Sequence, residues 1–207
     1  MLARPSPPGP PIFFTNLKGS GLVVMVEIDE QALAELAKAG DDRSFTKLVE
    51  LYERVIFNLA FRMTNDREDA RDIAQTVFVK AFQNLRSFDP RHRFFSWLYR
   101  IGVNECLNHR ARSRRYEELD PDLMSDEEGG DAEERAGTVL RSEAIEGSLM
   151  MLPVDYRTVI ILRHFLELNQ AEMAQILGVP EKTVKSRLHT ARQLMAGHLG
   201  RRGIHQS

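Results

Sequence analysis

Apolar residues recur at spacings of three and four along most of this chain, the period of a helix with one buried face. Ile28 to Ala39 predicts a short helix. Asp41 and Asp42 then offer N-cap oxygens to a longer one. In it Phe45, Leu48, Val49, Tyr52, Val55, Ile56, Leu59, Ala60 and Met63 make a broad apolar face. The pattern stops at Thr64-Asn65-Asp66, and Asn65 with Glu68 has the form of a capping box. A third helix carries Ala70, Ile73, Ala74, Val77, Phe78, Ala81, Phe82 and Leu85 on one face and Asp69, Asp72 and Lys80 on the other. Asp89-Pro90 breaks the pattern. A fourth helix runs from near Phe95 to about Arg115, with Trp97, Leu98 and Ile101 on its apolar side.

Apolar spacing returns from Thr138, with Val139, Leu140, Ile145, Leu149 and Leu152. Pro153 opens a helix in which Tyr156, Val159, Ile160, Leu162 and Phe165 supply a core. The next stretch, from Asn169 to Met195, meets the demands of a helix-turn-helix. Ala174 is small enough for a close helix crossing, and Gly178 suits a turn with positive φ. Val184, Leu188, Ala191 and Met195 then fix the buried face of the second helix. The opposite face presents Lys182, Thr183, Lys185, Ser186, His189 and Thr190, with Arg187 and Arg192 on the flanks. Such a helix lies in the major groove of DNA.

No segment alternates as a strand. The expected fold is all-α, two small helical bundles at 28–115 and 138–200 joined by a flexible linker. Residues 1–27, rich in proline and glycine at their start, predict a disordered tail, with Met1 and Met25 both open as starts. Residues 116–137 hold the linker, with Pro121 and Gly129-Gly130, and residues 201–207 a basic tail.

Composition alone announces little: 207 residues, 43% hydrophobic, net charge −2. The charge is segregated, however. Arg91 to Arg115 holds seven arginines and one acid, Glu105. Glu117 to Glu134 holds ten acids and no lysine or arginine. After Glu181 there are six lysines and arginines and no acid. Two basic blocks around an acidic one predict two DNA-facing surfaces. In the first, Phe94, Phe95, Trp97 and Tyr99 alternate with Arg93 and Arg100, a mixture suited to unpaired bases. On composition alone, Trp97 and Phe94 at helical spacing suit a core better than a stacking platform. Cys106 is the one cysteine, which excludes an intrachain disulfide and a cysteine zinc site, and the six histidines show no paired metal spacing. No metal, cofactor or catalytic constellation is expected. No run reaches the ~20 apolar residues of a membrane span, so a cytoplasmic location is expected.

Three segments in order, Asp66 to Phe82, Phe94 to Arg115 and Leu152 to Met195, resemble bacterial sigma factors. They look like the small extracytoplasmic-function class of the sigma-70 family, over roughly Asp41 to Leu199. The resemblance implies that the first bundle is region two, which binds the β′ clamp helices of core RNA polymerase and melts the −10 element. Asp69, Asp72, Gln75 and Phe78 stand at its core polymerase-binding positions. Phe88 to Phe95, with Arg91 and Arg93, matches the loop that captures a flipped −10 base. Trp97, Arg100, Asn104, Asn108 and Arg112 match the −10 reading helix. The second bundle becomes region four, which meets the β flap and reads the −35 element through Lys185, Ser186, His189 and Thr190. An anti-sigma factor is the implied regulator. The chain departs from the family pattern at Thr76, Gly102, Lys182 and Thr190.

The implied work is differential binding rather than catalysis. The −10 and −35 elements lie on the order of 50 Å apart. A linker of about 25 residues spans roughly 25–30 Å when relaxed and about 80 Å when stretched, so it is extended when both bundles engage. The other class of function open to these residues is a stand-alone helix-turn-helix regulator that binds duplex DNA without polymerase.

Overall fold

A computed structural model describes residues 14–16, 23–25, 29–119 and 144–201. Among the described residues eight helices carry the fold: α1 (Glu30–Lys38), α2 (Asp42–Thr64), α3 (Arg67–Asn84), α4 (Phe94–Leu119), α5 (residues 144–150), α6 (Val154–His164), α7 (Gln170–Leu177) and α8 (Glu181–Arg201). A 3-10 turn, Leu85–Ser87, follows α3. The all-α expectation holds for both bundles.

Phe14–Asn16 pairs antiparallel with Val23–Met25; the rest of the expected disordered tail, residues 1–13, 17–22 and 26–27, lies outside the described residues. The expected linker begins late: α4 continues to Leu119, and 120–137 lies outside the described residues. The basic tail 202–207 and the apolar spacing at 138–143 also lie outside them.

Helix ends follow local chemistry. Asp41 caps α2, its carboxylate accepting the Arg43 and Ser44 amides. At the next boundary the expected Asn65 capping box gives way to two separate devices. Asn65 ends α2 in the left-handed region, φ 63°, while the Asp66 carboxylate accepts the Asp69 amide to start α3. The capping box that does form is Asn169 with Glu172, at the start of α7.

The first bundle packs α2 centrally against α1, α3 and α4. Leu48, Tyr52, Ile56, Leu59 and Ala60 are buried there against Ala70, Ile73, Val77, Ala81, Leu98 and Val103. Gly102 lies in the crossing of α4 over α2, where an added Cβ would sit 3.2 Å from Leu59 Cδ2. The second bundle buries Leu149, Leu152, Val159, Ile161, Leu162, Met173, Ile176, Val184, Leu188 and Ala191. Two residues expected in the cores are not there: Phe82 is 54% and Phe165 38% exposed.

The bundles meet along a seam. Arg157, fully buried on α6, donates to Met63 O at the end of α2 at 2.7 Å. Its other N–H groups go to the Leu149, Met150 and Leu152 carbonyls around the end of α5. One guanidinium thus satisfies the orphan carbonyls of two helix C-termini, where a positive charge is favoured. Arg93 bridges the same seam, 3.6 Å from Glu30 on α1 and 3.6 Å from Glu172 on α7.

Candidate nucleic-acid interface

The second basic surface is built as its residue pattern requires. Gly178 ends α7 at φ 65° and its amide donates to Ala174 O, which turns the chain sharply into α8. Val184, Leu188 and Ala191 lock the inner face of α8. Lys182, Lys185, Ser186, His189 and Arg192 are therefore exposed along its outer face, with Thr183, Arg187 and Thr190 half-buried beside them. Arg187 is held 3.0 Å from Asp155 of α6, so it braces α8 from the flank of its outer face. Ser186 Oγ donates to Thr183 O at 3.0 Å, which leaves its lone pairs outward. His164, exposed at the end of α6, is pushed below the usual histidine range, first by partial burial and then by Arg192 and Arg163.

The first basic surface comprises the loop after the 3-10 turn and the outer face of α4. Asn104, Asn108, Arg100 and Arg112 are exposed on α4, at positions where side chains can reach nucleic acid. Trp97 is half-buried, its ring tilted against Phe88 and Phe94 at centroid distances of 5.4 and 5.6 Å. Phe88 and Phe94 themselves are corrections. Each is 1% exposed, so neither presents a face to a base; the aromatic cluster is the floor beneath the loop. Apolar burial of two phenyl rings outweighs any exposed role in the free chain.

The loop's charged residues are intramolecularly occupied. Arg91 forks onto Asp89, with Nε at 3.0 Å and Nη2 at 2.6 Å, and holds that carboxyl well below the usual carboxylate range. Arg93 sits 4.2 Å over the Phe95 ring in addition to its two acidic neighbours. Arg100 lies against the helix-turn-helix turn, its Nη2 3.7 Å from where a Gly178 Cβ would stand. The bundles in this arrangement therefore cover part of the α4 surface with α7.

On α3 the expected polymerase-facing residues separate. Asp72 and Gln75 are exposed, Asp69 and Phe78 half-buried. Asp69 is 3.3 Å from His109 on α4. Two residues missed in sequence complete the exposed stripe: Val79, 49% exposed, and Phe82, 54% exposed. Gln75, Val79 and Phe82 follow the i, i+4, i+7 spacing of one helix face. Phe82 packs edge-on to Phe45 at 5.1 Å, which explains an apolar residue standing at the rim of the core. The signal that could have found Val79 was its position off the apolar face, beside Gln75 rather than Val77.

Among the described residues no cluster of His, Cys, Asp or Glu could hold a metal, and no helix is long and apolar enough to cross a membrane. Cys106 is buried, and burial pushes its thiol up to about 12.

Comparison with known proteins gives two family models in tandem: Sigma-70 region 2 over residues 48–116 and Sigma-70, region 4 over residues 142–195. The chain is 33% identical over 172 residues to the ECF RNA polymerase sigma factor SigW of Bacillus subtilis (strain 168), covering 78% of the chain and 92% of the relative. It is also 33% identical over 177 residues to the ECF RNA polymerase sigma-E factor of Escherichia coli (strain K12), covering 81% and 92%. Among solved structures, CnrH in complex with the cytosolic domain of CnrY matches with TM-score 0.63 and 27% identity, over 83% of this chain and 97% of that one. The sigma factor RpoE in complex with the anti-sigma factor NepR from Bartonella quintana shares the fold, with TM-score 0.67 and 22% identity over 76% and 98%.

Proposed function

Given that this chain belongs to the extracytoplasmic-function class of the sigma-70 family, an alternative sigma factor rather than an enzyme, we propose how its surfaces divide the work of promoter-specific initiation. The exposed stripe of α3, Asp72, Gln75, Val79 and Phe82, docks on the β′ clamp helices of core RNA polymerase. Val79 and Phe82 continue along one helix face from Asp72 and Gln75, so the stripe joins apolar area to polar groups as protein interfaces do. Asp69 and Phe78 contribute from the edge of that stripe. The loop at 88–95 and the outer face of α4 hold the opened −10 strand, through Arg91, Arg93, Trp97, Arg100, Asn104, Asn108 and Arg112. Phe88 and Phe94 support that surface from below. The outer face of α8 reads the −35 duplex: Lys185, Ser186 and His189 towards base edges, Lys182, Thr183, Thr190, Arg187 and Arg192 towards the backbone. The second bundle also meets the β flap.

The observation that carries this reading is that two cationic surfaces stand on two separately packed bundles, each with its own core. A duplex-binding regulator needs only the second. The chain acts where polymerase and chromosome are, in the cytoplasm, and an anti-sigma protein regulates it; the CnrH complex, in which a cytosolic partner domain is bound, supports that expectation.

Run-off transcription with purified core polymerase tests the assignment. Initiation at one site only when both proteins are present is expected. Val79→Asp with Phe82→Asp should abolish it together with co-elution on core polymerase, while duplex binding by α8 persists. Specific binding without any initiation would overturn the reading.

A further inference from the structure

Helix α1 precedes the matched region 2 segment, which begins at residue 48, and nothing above gives it a task beyond packing. Three of its side chains nevertheless reach across to the loop after the 3-10 turn. The Gln31 carboxamide donates to Pro90 O and, at 3.1 Å, to His92 O. The Lys38 ammonium donates to Phe88 O at 2.6 Å. Glu30, which accepts the Tyr52 hydroxyl proton, faces Arg93 at 3.6 Å. We propose that α1 is the positioning element of the −10 loop, with Gln31 and Lys38 fixing the backbone that receives the unpaired base.

The geometry suits that task. Gln31 and Lys38 are seven residues apart, so they share one helix face about 10.5 Å apart along the axis. They grip the loop at both ends. The carbonyls of alternate residues, 88, 90 and 92, all turn to α1. An irregular loop must find partners for its carbonyls. Here the partners are side chains of another helix rather than the loop's own amides, of which Phe88 N and His92 N make short turns to Leu85 O and Asp89 O. With the carbonyls drawn to α1, Arg91 and His92 are left exposed. The floor is already rigid, because Phe88 and Phe94 are buried. Helix α1 is itself anchored by the Asp29 cap and by Ala34 and Ala37 in the core. A receptacle for one base must hold its shape closely, because small displacements of a binding group are costly.

The inference rests on the reading that this loop receives the −10 base, and two measurements on the full chain separate the two ideas. One is backbone hydrogen exchange of the free protein. The other is run-off transcription with core polymerase on promoters carrying each of the four bases at the captured position. For Gln31→Met and Lys38→Met, the amides of Phe88, Asp89 and Arg91 to Arg93 should exchange faster while those of α2 and α3 stay protected, which also certifies folding. The ratio of transcription between the best and worst base should shrink roughly fivefold, the worth of one hydrogen bond. Lys38→Arg, which keeps a donor, should restore the ratio; a merely space-filling Lys38 would not distinguish Arg from Met this way. Unchanged loop exchange would overturn the role of α1. A loosened loop with intact base preference would instead overturn the assignment of base capture to the loop.

Discussion

Arg157 is the largest side chain with no exposed surface, and its partners are carbonyl oxygens rather than a carboxylate. Burial, with Arg110 nearby, pulls its guanidinium down to about 10, which still leaves it charged at neutral pH. Removing it strands the carbonyls it serves. Arg157→Leu should cost about 2–3 kcal/mol, read as a lower urea midpoint at unchanged slope. Cys106 gives a second test. With the thiol pushed up to about 12 and out of contact with solvent, almost no thiolate exists at neutral pH. Labelling by a disulfide reagent should therefore proceed only at the rate of unfolding; rapid labelling of the native chain would contradict this packing. His164 sets a pH dependence. Its folded pKa lies below its unfolded value, so the unfolded chain binds the proton more readily. Stability is full above the ordinary histidine range and falls as pH drops through about 6.5. The urea midpoint should drop more between about pH 7.5 and pH 5.5 in the natural chain than in His164→Gln.

At the level of elements, the ends of helices decide how well the interface holds. The Asn169–Glu172 capping box satisfies two orphan donors of α7, the first helix of the helix-turn-helix. Asn169→Ala should destabilise the second bundle by about 1 kcal/mol and weaken duplex binding through misplacement of α8. Circular dichroism melting and a −35 duplex titration would show it, and unaltered binding would place the turn at Gly178 in sole charge of the geometry. The helices and the buried face of α8 were legible in sequence because a period of 3.6 survives wherever one face is buried. What was not legible depends on long-range packing. Phe82 repeats at core spacing yet stands exposed, because only the neighbouring Phe45 tells where the core ends. Phe88 and Phe94 look like stacking platforms among arginines, and only the approach of Trp97 makes them a floor. Arg157 is the sharpest case, since no local pattern predicts a cation that closes a helix end ninety-four positions away together with one close by in sequence. The two three-residue strands fall within a stretch of 27 residues whose composition argues for disorder.

Across the whole molecule, the seam and the promoter make incompatible demands. In the structure the bundles touch at Arg157–Met63, at Arg93–Glu172, and where Arg62 lies 4.2 Å over the Phe165 ring. On the proposed division of labour, promoter elements on the order of 50 Å apart call for the two bundles to part. Arg93 also cannot serve a phosphate while Glu30 and Glu172 flank it. Opening is affordable in physical terms. Water replaces Met63 as an acceptor for Arg157, and the Arg93–Glu172 pair, one-third exposed on the arginine side, is worth little once screened. The Arg157 contacts to the end of α5 stay within their own bundle. Dyes on Lys47→Cys and Gln193→Cys, both exposed and on different bundles, would report the change, with buried Cys106 silent. Transfer efficiency should be high in the free chain and drop when core polymerase and promoter are both added. Thr158→Val, which removes the hydroxyl that faces Met63 Sδ at 3.6 Å, should lower the efficiency of the free chain slightly and leave that of the promoter complex unchanged. High efficiency in a complex that is making transcript would mean that the two surfaces read the promoter without parting, and the extended arrangement would have to be abandoned.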